Sequence, residues 1–172
     1  MMTVAGLKEA MKAATEGKTN AADALTVLGN AIATYLKDNA AVTFQWTGTN
    51  SVSPYDTQVL TATGKIIALA ITLTPSGAES KDPALARLGN EITAGIRAGT
   101  YTITEAGYTT SPAAMADAPQ LSISIALTGD RDVAYTDFAN DIYTQLTGYV
   151  PAAPCAGSHG TYAGSGVVTG IA

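Results

Sequence analysis

The sequence predicts an α+β fold: tandem helix-plus-antiparallel-strands units, with the helices packed on one face of one or two antiparallel sheets. Three observations predict it. A helical word recurs along the chain, segments of period-two alternation follow its first two copies, and the links between elements are short and rich in turn residues. Short links between sequential strands make antiparallel pairing the default.

The word is ALTVLGNAI at Ala24–Ile32 and ALARLGNEI at Ala84–Ile92, with a weaker third copy, AYTDFANDI, at Ala134–Ile142. Around it the apolar residues are Leu25, Leu28, Ile32 and Leu36, then Leu85, Leu88, Ile92 and Ile96, then Tyr135, Phe138, Ile142 and Leu146. Steps of three, four and four keep each set in one stripe on one helix face. Gly29, Gly89 and Ala139 fall at the stripe's edge, where a minimal side chain lets another element approach closely. Asn30, Asn90 and Asn140 point away from it and are either relics of a shared origin or contacts to a loop or subunit.

Boundary signals agree with this pattern. Thr19 or Asn20 caps the first helix with Asp23 near its positive end, and Asp82 followed by Pro83 reads as an N-cap and first helical residue. Asp130 or Asp132 opens the third helix, whose end is marked by Gly148 and Pro151. Gly99 is expected to stop the second in a left-handed conformation.

Strands follow. Val42, Phe44 and Trp46 alternate with Thr43, Gln45 and Thr47, and Trp46 reads as a core anchor or an interface residue. Ile67, Leu69, Ile71 and Leu73 share one face, opposite Ile66, Ala68, Ala70 and Thr72. Leu121, Ile123, Ile125 and Leu127 alternate with Ser122, Ser124, Ala126 and Thr128 as a half-buried strand. The resulting division is a flexible N-terminal segment 1–18, a first helix–strands unit 19–79, a second 80–131, and a third, shortened unit 132–172, all sharing one domain. The last unit ends in a Gly-rich arm, CAGSHGTYAGSGVVTGIA. It reads either as a hairpin turning around Ala163–Gly166 or as an arm that orders only against a neighbouring copy.

Composition narrows the function. Of 172 residues, 47% are apolar and only 13% charged, against a usual charged share of roughly 25%. A chain so poor in charge is either secreted or covers much of its surface with neighbours. The formal net charge is −5 and the Lys and Arg residues are scattered, which excludes the basic stripe that direct nucleic-acid binding needs. The N-terminus lacks the apolar core of a signal peptide, and the run Ile66–Ile71 is too short to span a bilayer, so no membrane association and synthesis in the cytoplasm are expected.

Residues with reactive side chains do not gather into a recognisable motif. Cys155 is the sole cysteine, which leaves an apolar filler, an exposed thiol or an interchain disulfide. His159 is the sole histidine and lies in a Gly-rich stretch, a poor platform for a catalytic base. Asp130 and Asp132 read as helix-opening carboxylates, with hard-cation ligation or glycosidase chemistry as the sharper alternatives. No phosphate-binding loop is present. Catalytic residues, metal ligands and cofactors are therefore all expected to be absent. Tyr55, Tyr108 and Tyr162 sit in or near loops, either as turn-edge residues or as platforms for a sugar ring.

In its low charge, tandem helix–strand layout, N-terminal segment Met1–Lys18 and Gly-rich C-terminal arm, the chain resembles the small virion structural proteins of tailed bacteriophages. These are neck, tail-completion, baseplate or capsid-decoration subunits. The resemblance spans the chain as composition and layout and carries no functional residue over. It implies a homo-oligomer, a ring or shell bound to other virion structural proteins, assembled in the host cytoplasm and without catalysis. A surface carbohydrate- or peptide-binding module is the alternative.

Overall fold

The computed structural model describes residues 1–172 except Ser76, Ala78 and Leu127. In chain order the elements are α1 Val4–Thr15, α2 Ala21–Asn39, β1 Ala41–Asn50, β2 Thr57–Ala68, α3 Lys81–Arg97, β3 Thr100–Ile103, β4 Tyr108–Thr110, β5 Ala113–Ala114, α4 Arg131–Thr147, β6 Cys155–His159 and β7 Tyr162–Ile171.

The N-terminal segment is not the flexible lead expected from sequence. Thr3 accepts a hydrogen bond from the Gly6 N–H, so α1 begins capped, and Leu7, Met11 and Thr15 bury one face of it. Asn20 caps α2 by accepting from the N–H groups of Ala22 and Asp23, and Asp130 caps α4 by accepting from Asp132. In α3 the N-cap is Ser80, which places Asp82 and Pro83 inside the first turn instead of at its boundary. The first turn tolerates proline because its N–H groups have no intrahelical acceptor. Gly99 is not left-handed either: positive φ among glycines occurs at Gly17, Gly107, Gly129 and Gly160. Gly99 sits in a tight place instead: a Cβ there would lie 3.0 Å from the Ala68 and Ile96 carbonyl oxygens and 2.5 Å from the movable end of Met115.

The three matched helices bury the same positions. Ile32, Ile92 and Ile142 are buried, as are Leu36, Ile96 and Leu146, and Gly29, Gly89 and Ala139. Leu28 and Phe138 are buried too, whereas Leu88 is half-buried. Asn30, Asn90 and Asn140 are all exposed.

All strand pairings are antiparallel, in the order β4-β6-β7-β1-β2-β3-β5. β4 and β5 stand at opposite ends of this order, yet only Ser111 and Pro112 separate them in sequence. The sheet must therefore curl until its two ends meet, and Thr102 Oγ1 lies 2.7 Å from Thr110 Oγ1 across that seam. Phe44, Trp46, Ala62, Ile66, Tyr101, Ile103, Cys155 and Val168 fill the curl. The Gly-rich arm is a hairpin, β6–β7, that turns at Gly160, φ 58°, and not at Ala163–Gly166. Gly164 lies within β7, where a Cβ would come 2.6 Å from Gly48 Cα on β1. β7 pairs with β1 from Tyr162 to Ile171, which fixes the arm inside its own chain.

Two expected strand segments are extended but leave the sheet. β2 ends at Ala68, and the chain beyond it passes between α2 and α3, with the Ile71 carbonyl against Gly29 and the Ala70 carbonyl against Gly95. The second segment, from Leu121, joins no strand and packs between α3 and α4 (Leu127 lies outside the described residues). Its N–H groups at Ser122, Ser124 and Ala126 donate to Gln145 Oε1 at 2.9 Å, Asp141 Oδ2 at 2.6 Å and Asp137 Oδ2 at 2.9 Å. Two residues of extended chain advance about 6.6 Å and four of helix about 6 Å, so the two rows stay in step over three bonds. α1 takes the analogous place between α4 and α2: Lys8 and Lys12 bond Asp132 on one side, and Thr3 bonds Tyr35 on the other.

Candidate functional site

The curled sheet turns a broad face of β2, β1 and β7 outward. Side chains alternate along each strand, so the outward set follows from the register. Gln45 stands between Thr61 and Val167, Thr47 between Val59 and Ser165, Thr49 between Thr57 and Ala163, and Thr43 between Thr63 and Gly170. Val59 is 58% exposed, Val167 47% and Ile67 37%. Lys65 is the only charge among the outward residues of these three strands. Threonine and valine suit a pleated surface, but a face left to water gains solubility from charge, and this one has almost none. Covering it would desolvate methyls and hydroxyls and hardly any ions.

At the far end of the curl the structure gathers most of the aromatic residues singled out from sequence. Tyr108 and His159 are cross-strand partners with ring centroids 4.4 Å apart, and Trp46 meets Tyr108 edge-on at 5.5 Å. Tyr162 donates to Asp56 Oδ2 at 2.8 Å, and that bond raises its pKa. Tyr55, next to Asp56 at the tip of the β1–β2 hairpin, is 98% exposed and Val52 84%. Trp46 is the buried anchor, and its Nε1 and the Gln58 Oε1 are buried with no hydrogen-bond partner among the described residues.

No family model, curated protein or solved structure matches the chain. What the surfaces can do must be read from their own chemistry.

His159 stacks on Tyr108, and no carboxylate or hydroxyl nucleophile is bonded to it among the described residues. Cys155 is buried, its thiol pKa raised by burial, and its Sγ lies 3.7 Å from Tyr101 O. An exposed thiol is thereby excluded. Asp130 caps α4, while Asp132 is held by Lys12 and Lys8. Both bonds lower the Asp132 carboxyl pKa, and the Lys12 bond raises that of Lys12. Glu9, Lys12, Glu16, Asp130, Arg131 and Asp132 line a cleft of about 510 Å³ between α1 and α4, in which Lys12 is paired with Asp132 and Glu9. Among the described residues no group of three His, Cys, Asp or Glu side chains is placed to hold a metal ion, and no helix is long and apolar enough to cross a membrane.

Sequence reasoning missed two polar anchors. Tyr149 donates to Asp117 Oδ1 at 2.6 Å, and Ala152 N–H donates to Asp117 Oδ2 at 3.0 Å. Tyr101 donates from inside the curl to the Ala153 carbonyl. Both tie the α4–β6 link to the β5 side of the sheet. Nothing in the spacing of these residues signals the pairing, which exists only once the sheet has curled.

Proposed function

We propose that this chain is a non-enzymatic structural subunit of a symmetric assembly, a virion component of a tailed bacteriophage at a neck, tail, baseplate or capsid-decoration position. One observation carries the reading: the outward face of β2, β1 and β7 holds Val59, Ile67 and Val167 among threonines, with Lys65 as its sole charge. Interface cores are depleted of charge in the same way. The paired state of Asp132 and the burial of Cys155 leave neither group free for chemistry, which agrees with a scaffold role. Native mass spectrometry and light scattering of the purified chain test it, together with antibody labelling of phage particles. A closed oligomer of fixed copy number and labelled particles are expected. A monomer at all concentrations and unlabelled particles would overturn it.

The exposure of Tyr55 favours the second reading, a surface carbohydrate- or peptide-binding module. Of the three candidate tyrosines, Tyr108 is stacked and Tyr162 is bonded to Asp56, which leaves Tyr55 as the one open ring. Glycan-array binding lost on Tyr55→Ala would support that module over the assembly subunit.

A further inference from the structure

The outer edge of β2 is unpaired over half its length. β3 covers β2 only from Gly64 to Ala68. Just before that, the Thr63 carbonyl accepts from the N–H groups of Thr104 and Glu105, and the Thr63 N–H donates to the Glu105 carboxylate at 2.8 Å. From Thr57 to Ala62 no backbone bond leaves the β1 side among the described residues. Asn50 N–H donates to Asp56 O, which makes this a hydrogen-bonded pair. Alternation then turns the backbone groups of Gln58, Leu60 and Ala62 toward β1, and those of Thr57, Val59 and Thr61 away from it. All three outward residues are exposed.

Proteins usually protect such an edge with charge, proline, a bulge or a covering loop. Here the residues TQVLTA carry no charge and no proline, and β1 and β2 pair without a register shift. Only Thr63 is plugged, by Glu105.

We infer that this edge is the contact between two copies of the chain, joined by antiparallel pairing of β2 with β2 across a two-fold axis. The inference rests on the assembly reading above and names its interface. The occupant is a second copy because the free groups complement themselves. Val59 meets its own counterpart and Thr57 meets Thr61 of the mate, which uses every open N–H and C=O in a ladder of about six bonds. Beyond the ladder, the β1–β2 turn that carries Tyr55 is brought to the end of the pairing where Thr63 of the other copy lies. The most exposed side chain of the hairpin tip is thus carried toward the neighbour, and the two outward threonine faces become one.

Two variants test the contact without touching the core, because the Val59 side chain is solvent-facing. V59K and V59E each bring like charges directly opposite at the axis, which disfavours pairing. Each alone is expected to weaken self-association by about tenfold or more, and an equimolar mixture is expected to restore it. Amide exchange at Val59 and Thr61 should be slow in the wild-type oligomer and fast in V59K. If the wild type assembles and both variants assemble equally well, the edge is not the interface, although the assembly reading stands. If the wild type is monomeric at every concentration, both readings fail.

Discussion

Gly89 on α3 faces the carbonyl oxygen of Leu121 so closely that a Cβ at this position would lie 2.5 Å from it. Gly29 on α2 meets the Ile71 carbonyl in the same manner. Each glycine admits an extended segment against a helix. At the third matched position stands Ala139, on the helix that α1 approaches through Asp132 and Tyr135, so the neighbour there is another helix and not an extended backbone.

Gly89→Ala therefore sets two effects against each other. Helix propensity favours alanine by about 1 kcal/mol, while forcing a methyl onto backbone costs about 1–3 kcal/mol. The clash is with a carbonyl, not with the end of a flexible side chain, so the steric cost wins. A net loss of up to about 2 kcal/mol in urea denaturation is expected. Asn90→Ala, one residue on and exposed, should change stability by no more than about 0.5 kcal/mol. A stabilised Gly89→Ala would show that the segment yields freely.

Helices α2, α3 and α4 were legible because their signal is local, a stripe at three- and four-residue steps that has one geometric meaning, whereas α1 was read as a flexible segment. Period two is different. It reports extended backbone with one buried face and does not say which groups accept its hydrogen bonds. Leu121–Ile125 satisfies the alternation while Gln145, Asp141 and Asp137 replace a neighbouring strand. The curl of the sheet was equally hidden, since it follows from where β4 and β5 end up and not from any residue in them. The outward threonine face was written plainly in Thr43, Gln45 and Thr47, but only the register with β2 and β7 shows how wide and uncharged it is. Fold class was thus readable, and topology was not.

That side-chain ladder predicts a local effect. Asp141→Ala removes the acceptor for the Ser124 N–H and should cost about 1 kcal/mol, because water can reach the vacated amide. Hydrogen exchange at Ser124 should accelerate, with Ser122 and Ala126 following to a lesser degree. Unchanged exchange at all three would mean that packing of Leu121 and Ile123 alone holds the segment.

Ile92 and Leu88 separate core from rim on one helix. Ile92 is 0% exposed, and Ile92→Ala should cost about 2–5 kcal/mol. Leu88 is half-buried, so Leu88→Ala should cost less, about 1–2 kcal/mol. Equal losses would place Leu88 deeper than its exposure indicates.

Asp117 should contribute to the acid side of the stability curve. The Tyr149 hydroxyl bond is the main cause of its lowered pKa; burial opposes it, and the Ala152 amide adds to the lowering. A carboxyl with a depressed folded pKa stabilises the protein above the unfolded value, about 3.9, and this contribution fades as pH falls through the folded value. Asp117→Asn should flatten the acid limb of thermal melts below about pH 4. An unaltered limb would assign acid sensitivity to Glu91 or Asp132, whose pKa values are also lowered.

Tyr101 governs the opposite limb. Burial pushes its pKa up to about 12, with Cys155 and Asp117 adding to the shift, and its hydroxyl donates to the Ala153 carbonyl. The folded state thus holds this proton more tightly than the unfolded chain, whose tyrosines titrate near about 10. The stabilisation is complete below that lower value and disappears as pH rises toward the upper one. Tyr101→Phe should cost about 1 kcal/mol at neutral pH, through the lost hydrogen bond. It should also remove much of the destabilisation between pH 10 and 12, because phenylalanine has no proton to lose. Ultraviolet titration of phenolate against a melt at each pH separates the two effects. If Tyr101→Phe melts with the same alkaline slope as the wild type, the limb belongs to Tyr149, whose pKa is raised by burial and by its bond to Asp117.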